Sequence, residues 1–181
     1  MTFYNFVIKL SQIFIIITVK IKMPELDGFS ACREIRVREV MTRYKKLTEK
    51  DGYDISFIAD GDVYVCADKT MMLQVVYNLV NNAINYTGDE KKVVVSQTVD
   101  SGRVKISVSD AGPGIAPEDL PYIWDRYYKV DKIHKRAQIG TGLGLSIVKG
   151  ILEAHSTSYG VESKMGEGSV FWFDMEASGK E

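Results

Sequence analysis

The chain has 181 residues, 45% apolar and 26% charged, with 23 Lys plus Arg against 24 Asp plus Glu for a net charge of −1. This composition supports a packed core and excludes a disordered, collagen-like or coiled-coil chain, and it leaves no global basic field to attract nucleic acid. Cys32 and Cys66 are too few for a disulfide framework, two histidines argue against a zinc site, and a reducing, cytoplasmic setting fits best.

Residues 3–21, FYNFVIKLSQIFIIITVKI, are interrupted by Asn5, Lys9, Ser11, Gln12 and Lys20, so only 13–19 is continuous. That is short of the roughly 20 apolar residues a membrane span needs. No small-residue cleavage site precedes Met23-Pro24, so a signal peptide is not indicated either. The β-branched run predicts a buried strand, or a sticky segment if nothing covers it, and no membrane contact. Residues 22–36, KMPELDGFSACREIR, resemble the segment after the third strand of a response-regulator receiver domain. Lys20 stands where the phosphoacceptor Asp is expected, so residues 1–36 are read as a receiver-like fragment or fusion scar that cannot accept phosphate.

Val37, Val40, Met41, Tyr44 and Leu47 are spaced for an amphipathic helix over 37–50. ISFIA and VYVCA predict two short strands around the Asp60-Gly61 turn, and Asp68 is placed to cap a helix from Lys69 to about Tyr86. VVVSQTV and RVKISVS predict a hairpin around Asp100-Ser101-Gly102. The turn AGPGI then leads into an expected short helix, EDLPYIWDRYY, beginning near Pro117. A charged loop over 129–139 precedes GTGLGL and a helix ending near His155. SYGVES and SVFWFDM form the last hairpin around residues 165–168. The expected fold is α/β: a two-layer sandwich of one mixed, mostly antiparallel sheet covered on one face by helices, three of them lying between the strands.

Three places look chemical. On the helix over 71–86, Gln74, Asn78, Asn82 and Tyr86 recur every four residues and form one polar stripe opposite Leu73, Val76, Leu79, Val80, Ala83 and Ile84. Asparagine is a mediocre helix former, and a merely solvated face would more cheaply use Glu, Lys or Gln. An Asn carbonyl can ligate a hard cation, while its amide donates to phosphate oxygens. Next, a strand delivers Asp110 to the turn Asp110-Ala-Gly-Pro-Gly114, where glycines admit a flat ligand to the backbone and the carboxylate can accept from an exocyclic amine. A plain turn would read the same way. Finally, Gly140-Thr-Gly142-Leu-Gly144-Leu opens a helix whose N-terminus favours an anion. The loop before it carries Arg126, Lys129, Lys132, Lys135 and Arg136, either as a solvated stretch or as a cationic lid. The spacing is not that of a dinucleotide fingerprint, and there is no P-loop motif.

Taken in order, these boxes resemble the catalytic and ATP-binding domain of a bacterial sensor histidine kinase. That domain belongs to the Bergerat-fold superfamily shared with gyrase, heat-shock chaperones and MutL. NLVNNAINYT (78–87) matches the N box, DAGPG (110–114) the first glycine box, WDRYYKVD (124–131) the F box and GTGLGL (140–145) the second glycine box. The resemblance covers about 37–176 and leaves 177–181 as a tail. It implies ATP and Mg²⁺ as cofactors, with Asp110 reading the adenine amine, Asn82 ligating Mg²⁺, Asn78 beside the phosphates and Tyr86 against the adenine. Gly142 and Gly144 would bring the lid backbone onto the phosphates. Asn85, Gly112, Gly114, Ile115, Thr141, Leu143 and Leu145 complete the implied nucleotide pocket.

Asn78 and Lys129 are the residues implied to act on the transferring phosphate. Lys129 falls where many relatives have an Arg that touches the γ-phosphate, and Asn85 where many have Lys. Ser156 and Thr157 replace the glycines usual in the family, a change expected to affect only a turn.

The expected function is that of a phosphotransfer catalytic domain, donating the γ-phosphoryl of ATP to a histidine on another chain or an upstream domain, with a response regulator downstream. Neither His134-Lys135 nor His155-Ser156 has the acidic neighbour of a phosphoacceptor, so self-phosphorylation within the chain is not expected. His155 reads as a helix C-terminal cap. The alternatives are a nucleotide-binding module without transfer, or a weak ATPase. The hydrolysing relatives carry a Glu at the Asn78 position to activate water, and Asn cannot act as that base.

Overall fold

The structure, a computed structural model, describes residues 20–22, 51–61, 63–128 and 142–178. The helix expected over 37–50, the run 13–19 and the loop 129–139 lie outside the described residues, as do Lys129 and Thr141. The strands are β1 (Lys20–Lys22), β2 (Asp54–Ala59), β3 (Tyr64–Cys66), β4 (Lys92–Asp100), β5 (Arg103–Asp110), β6 (Ser158–Lys164) and β7 (Gly168–Ser178). The helices are α1 (Lys69–Tyr86) and α2 (Gly144–Ala154), with one 3-10 turn over Gly88–Glu90.

The seven strands form one mixed sheet, six of them in the order β1-β3-β7-β5-β4-β2 and the seventh, β6, paired with β7 off that path. The long β7 holds the sheet together. One edge pairs with β5 from Ser169 to Glu176; the other pairs with β6 and then with β3 at Ala177 and Ser178. Strict alternation along each strand decides which face is buried. Val93 and Val95 of β4, Val104, Ile106 and Val108 of β5, and Phe171, Phe173 and Met175 of β7 all point to one side. There they meet Val75, Val76, Leu79, Val80 and Ala83 of α1 and Val148 and Leu152 of α2. Removing each of the larger side chains from water contributes roughly 1.5–3 kcal/mol before chain entropy is counted. The opposite face carries Ser96, Ser107 and Trp172, with the Trp172 ring lying over Gly160 and the Lys105 ammonium 4.5 Å from the ring centroid.

Both hairpins form where expected. Ser101 and Gly102 have φ of 50° and 77°, the left-handed pair a tight two-residue turn requires, and Gly166 has φ of 81° in the β6–β7 turn. Asp68 caps α1, its carboxylate accepting from the Met71 N–H at 2.9 Å.

Three expectations are corrected. ISFIA and VYVCA do form strands, but not side by side. β2 pairs in parallel with β4 at one edge of the sheet, while β3 pairs with β7 on the far side of β5. The Asp60-Gly61 turn therefore starts a crossing rather than a hairpin. The expected helix near Pro117 is a chain of turns, in which N–H groups of Asp119, Tyr122, Asp125 and Tyr128 each bond the carbonyl three residues back. Pro121 lacks the N–H that an α-helix would need in the middle of this segment. Helices among the described residues therefore number two, α1 and α2. On α1, Met72 and Val75 are buried, while Leu73 and Ile84 are half-buried at the margin.

Candidate functional site

The C-terminal half of α1, the turn after β5 and the N-terminus of α2 meet at one end of the helical layer. Asn78 and Asn82 sit on consecutive turns of α1, both half-buried, and Tyr86 closes the helix. The Asn78 amide Nδ2 is buried without a hydrogen-bond partner among the described residues. An unsatisfied buried donor costs about 1–3 kcal/mol, so the position favours a ligand that accepts from it. Facing it is Gly144, the first residue of α2; a Cβ there would stand 4.0 Å from both Cβ and Oδ1 of Asn78. α2 has no side-chain cap at its N-terminus, with Leu143 at the cap position. A donor amide beside an uncapped helix start is an arrangement suited to phosphate.

Gly142 is held in the left-handed region, φ 70°, by Tyr127, whose N–H donates to the Gly142 carbonyl at 2.9 Å. A Cβ on Gly142 would stand 2.9 Å from the Tyr127 Cα, so this approach requires glycine. Tyr127 itself has φ 65° and is 72% exposed. Beside it, the Tyr128 hydroxyl donates to Asp119 Oδ1 at 2.5 Å, and that bond pushes the phenol up to about 12.

Asp110 ends β5 and is 8% exposed. Burial raises its carboxyl above the usual range, opposed by hydrogen bonds from the Gly112 and Ser169 N–H groups. The Gly112 bond measures 2.9 Å to Oδ1. The turn that follows is packed from both sides. A Cβ on Gly112 would fall 2.0 Å from the Tyr86 carbonyl oxygen, and one on Gly114 2.1 Å from that of Lys164. The Ile115 N–H donates to Ser163 Oγ at 2.8 Å, and the Gly166 N–H to the Pro113 carbonyl at 2.7 Å. The Asp-Gly turn is thus clamped between α1 and the β6–β7 hairpin. Leu145 packs against the core and Asn85 is exposed.

Sequence reasoning missed the supports. Thr87, at the C-cap of α1 and 1% exposed, donates to the Lys92 carbonyl at 2.5 Å and accepts from the Ala111 N–H at 3.4 Å. Ser169 lies opposite Asp110 in the β5–β7 register. Gly168 is the only type of residue that fits its place, because a Cβ would fall 2.1 Å from the Asp110 carbonyl oxygen. The signal for Thr87 was its place directly after the asparagine helix; nothing local marked Ser169, which meets Asp110 only through strand pairing. His155 also gained a partner. Its Nδ1 lies 2.8 Å from the Ile151 carbonyl, and its Nε2 accepts from the Asp68 N–H at 3.1 Å.

Residues 67–178, more than half of the chain, match the family described as histidine kinase-, DNA gyrase B-, and HSP90-like ATPase. The chain belongs to this family. Within it, the chain is 34% identical over 150 residues to the sensor-like histidine kinase SenX3 of Mycolicibacterium smegmatis, covering 83% of the chain and 38% of SenX3. The catalytic domain of histidine kinase ThkA, in a nucleotide-free form, superposes with a TM-score of 0.65 at 33% identity, covering 77% of this chain and 88% of that one. ThkA in complex with the response regulator protein TrrA superposes with a TM-score of 0.62 at 30% identity, covering 78% of this chain and 39% of that one. Full-length ShkA in complex with AMPPNP gives a TM-score of 0.65 at 28% identity, with 79% of this chain and 29% of that one covered. The chain therefore spans well under half the length of the curated relative it matches. The fold is the sandwich of histidine kinase catalytic domains, and the family match runs from just after β3 to the end of β7. No helix among the described residues is long and apolar enough to cross a membrane.

Proposed function

We propose that the chain binds Mg·ATP and serves as the phosphotransfer domain of a sensor histidine kinase. The observation that supports this best is Asn78, whose buried Nδ2 has no hydrogen-bond partner among the described residues and whose Cβ and Oδ1 lie beside Gly144 at the uncapped start of α2. In this reading the Asp110 carboxylate accepts the adenine amine while the Asn78 amide and the first N–H groups of α2 bind phosphate oxygens. Tyr86 lies along the base, and the turn at Gly112 and Gly114 lets the base reach the backbone.

The donor set fits a magnesium ion bound through the nucleotide. Among the described residues there is no cluster of three or more His, Cys, Asp or Glu side chains to cage a metal. Asn82, one turn beyond Asn78, offers a neutral amide oxygen, and Mg²⁺ commonly takes few protein ligands with phosphates and waters completing its shell. When bound, the ion supplies neutralisation of phosphate charge.

The transfer itself needs positioning and charge neutralisation more than a base from this domain. An incoming imidazole nitrogen attacks the γ-phosphorus in line through its lone pair, the bond to the β–γ bridging oxygen breaks, ADP leaves with that electron pair, and the proton on the other ring nitrogen passes to water. The acceptor histidine comes from another chain or domain, and a response regulator then takes the phosphoryl group. Lys129 and Thr141 are proposed to touch the γ-phosphate side from the lid. The domain is proposed to act in the cytoplasm, with residues 37–176 as its working unit and 1–36 as an appended receiver-like piece.

Calorimetric titration of ATP with and without Mg²⁺ on wild type and Asp110→Asn tests the reading. Metal-assisted binding lost in the variant supports it; a wild type that does not bind ATP overturns it.

A further inference from the structure

The contacts between α1 and α2 occur at both ends of their shared length. At the site end Asn78 faces Gly144. At the other end the Asp68 N–H donates to His155 Nε2 at 3.1 Å. Asp68 lies ten residues before Asn78, and His155 eleven after Gly144, so the helices run antiparallel. At 1.5 Å per residue the two spans are about 15 and 16.5 Å, nearly equal. A contact that fixes one end therefore fixes the register at the other.

The imidazole is specific for this task. A carbonyl only accepts, so Nδ1 must be the protonated nitrogen donating to Ile151, 2.8 Å away. That leaves Nε2 as the bare acceptor needed by Asp68. One neutral ring thus holds the last turn of α2 and reaches across to the first turn of α1. Asp68 is fixed twice, since its carboxylate also caps α1 through the Met71 N–H.

We propose that His155 is a positioning residue for the phosphate half of the nucleotide site, setting the α1–α2 register that places Asn78 against Gly144. The inference rests on the ATP-binding reading given above. Asp110, on β5, is held by Gly112 and Ser169 and takes no part in the tie, so the adenine half should be indifferent to it.

The test compares ATP with adenosine binding to the full chain, below the melting temperature of every variant. His155→Asn keeps an amide donor near Ile151 but is too short to reach Asp68. His155→Gln brings an amide oxygen to the Nε2 position. His155→Asn should weaken Mg·ATP about three- to tenfold, the worth of one hydrogen bond, and leave adenosine unchanged. His155→Gln should recover most of that loss. In ¹⁵N spectra, wild type should show His155 as the Nδ1–H tautomer, and only His134 competes for assignment. Equal weakening of ATP and adenosine, no change in either, or no rescue by Gln would overturn the proposal. If wild type binds neither ligand, the ATP-binding reading has failed instead.

Discussion

Gly112 lies against the carbonyl of Tyr86 so closely that a Cβ on it would stand 2.0 Å from that oxygen. The contact joins the end of the asparagine helix to the turn that carries Asp110. Neither partner can yield by rotating a side chain, because the obstacle is backbone. Gly112→Ala is expected to cost about 1–3 kcal/mol of stability through overpacking and to displace the turn. Thermal unfolding alongside ATP titration checks this, and a variant with unchanged melting temperature would show that the two segments separate freely.

Gly144→Ala should behave in the opposite way. Its Cβ would meet Asn78 only at ordinary contact distance, 4.0 Å, and Ala favours a helix over Gly by up to about 1 kcal/mol. Stability should hold or rise while Mg·ATP binding falls, because the methyl occupies the approach to the Asn78 amide. A melting curve and a titration on the same sample separate the two effects.

Asp110→Asn should abolish adenine recognition, at a loss of roughly ten- to hundredfold in ATP affinity for a charge-assisted hydrogen bond. It should not destabilise the fold at neutral pH. Burial raises the Asp110 carboxyl, so the native state binds its proton more readily than the unfolded chain does. Its contribution is fully present below the unfolded carboxylate range and is lost as pH rises through the raised native value. The variant's advantage should therefore grow from acid towards neutral pH. Urea unfolding across that range measures it, and an advantage that shrank with rising pH would contradict the assignment.

Thr87→Val should cost about 1–3 kcal/mol, since it leaves the Lys92 carbonyl and the Ala111 N–H without the buried hydroxyl that serves both. Loss of ATP affinity beyond the loss of folded protein would indicate that Thr87 also holds the Asp110 turn in place.

Ser156 offers a gain. The Thr157 N–H bonds the Leu152 carbonyl and the Ser156 N–H that of Glu153, the paired bonds of a Schellman ending, with Ser156 in the left-handed region at φ 52°. Ser156→Gly removes a steric cost of about 1–2 kcal/mol, offset in part by the greater freedom of Gly in the unfolded chain. The expected outcome is a melting temperature a few degrees higher with nucleotide binding unchanged.

What the sequence determined was whatever a short stretch dictates about itself. The spacing of Val76, Leu79, Val80 and Ala83 marked α1 and its buried side, Asp68 marked its start, and Ser101-Gly102 and Gly166 marked the two hairpins. The asparagine helix and the two glycine boxes stood out as a candidate site because their asparagines and glycines suit a ligand better than a core. Pro121 was also legible as a helix breaker, and the segment around it forms turns rather than the expected helix. Other features depended on segments far apart in the chain. Only the sheet register could bring Ser169 and Gly168 to Asp110, or part β2 from β3, because strand pairing depends on which edges remain open once β7 is laid down. Only the antiparallel packing of α1 and α2 could carry His155 to Asp68, eighty-seven residues away in sequence. Local pattern fixes which face of an element avoids water; the choice of what it is buried against belongs to the whole chain, and that choice turned separate motifs into one site.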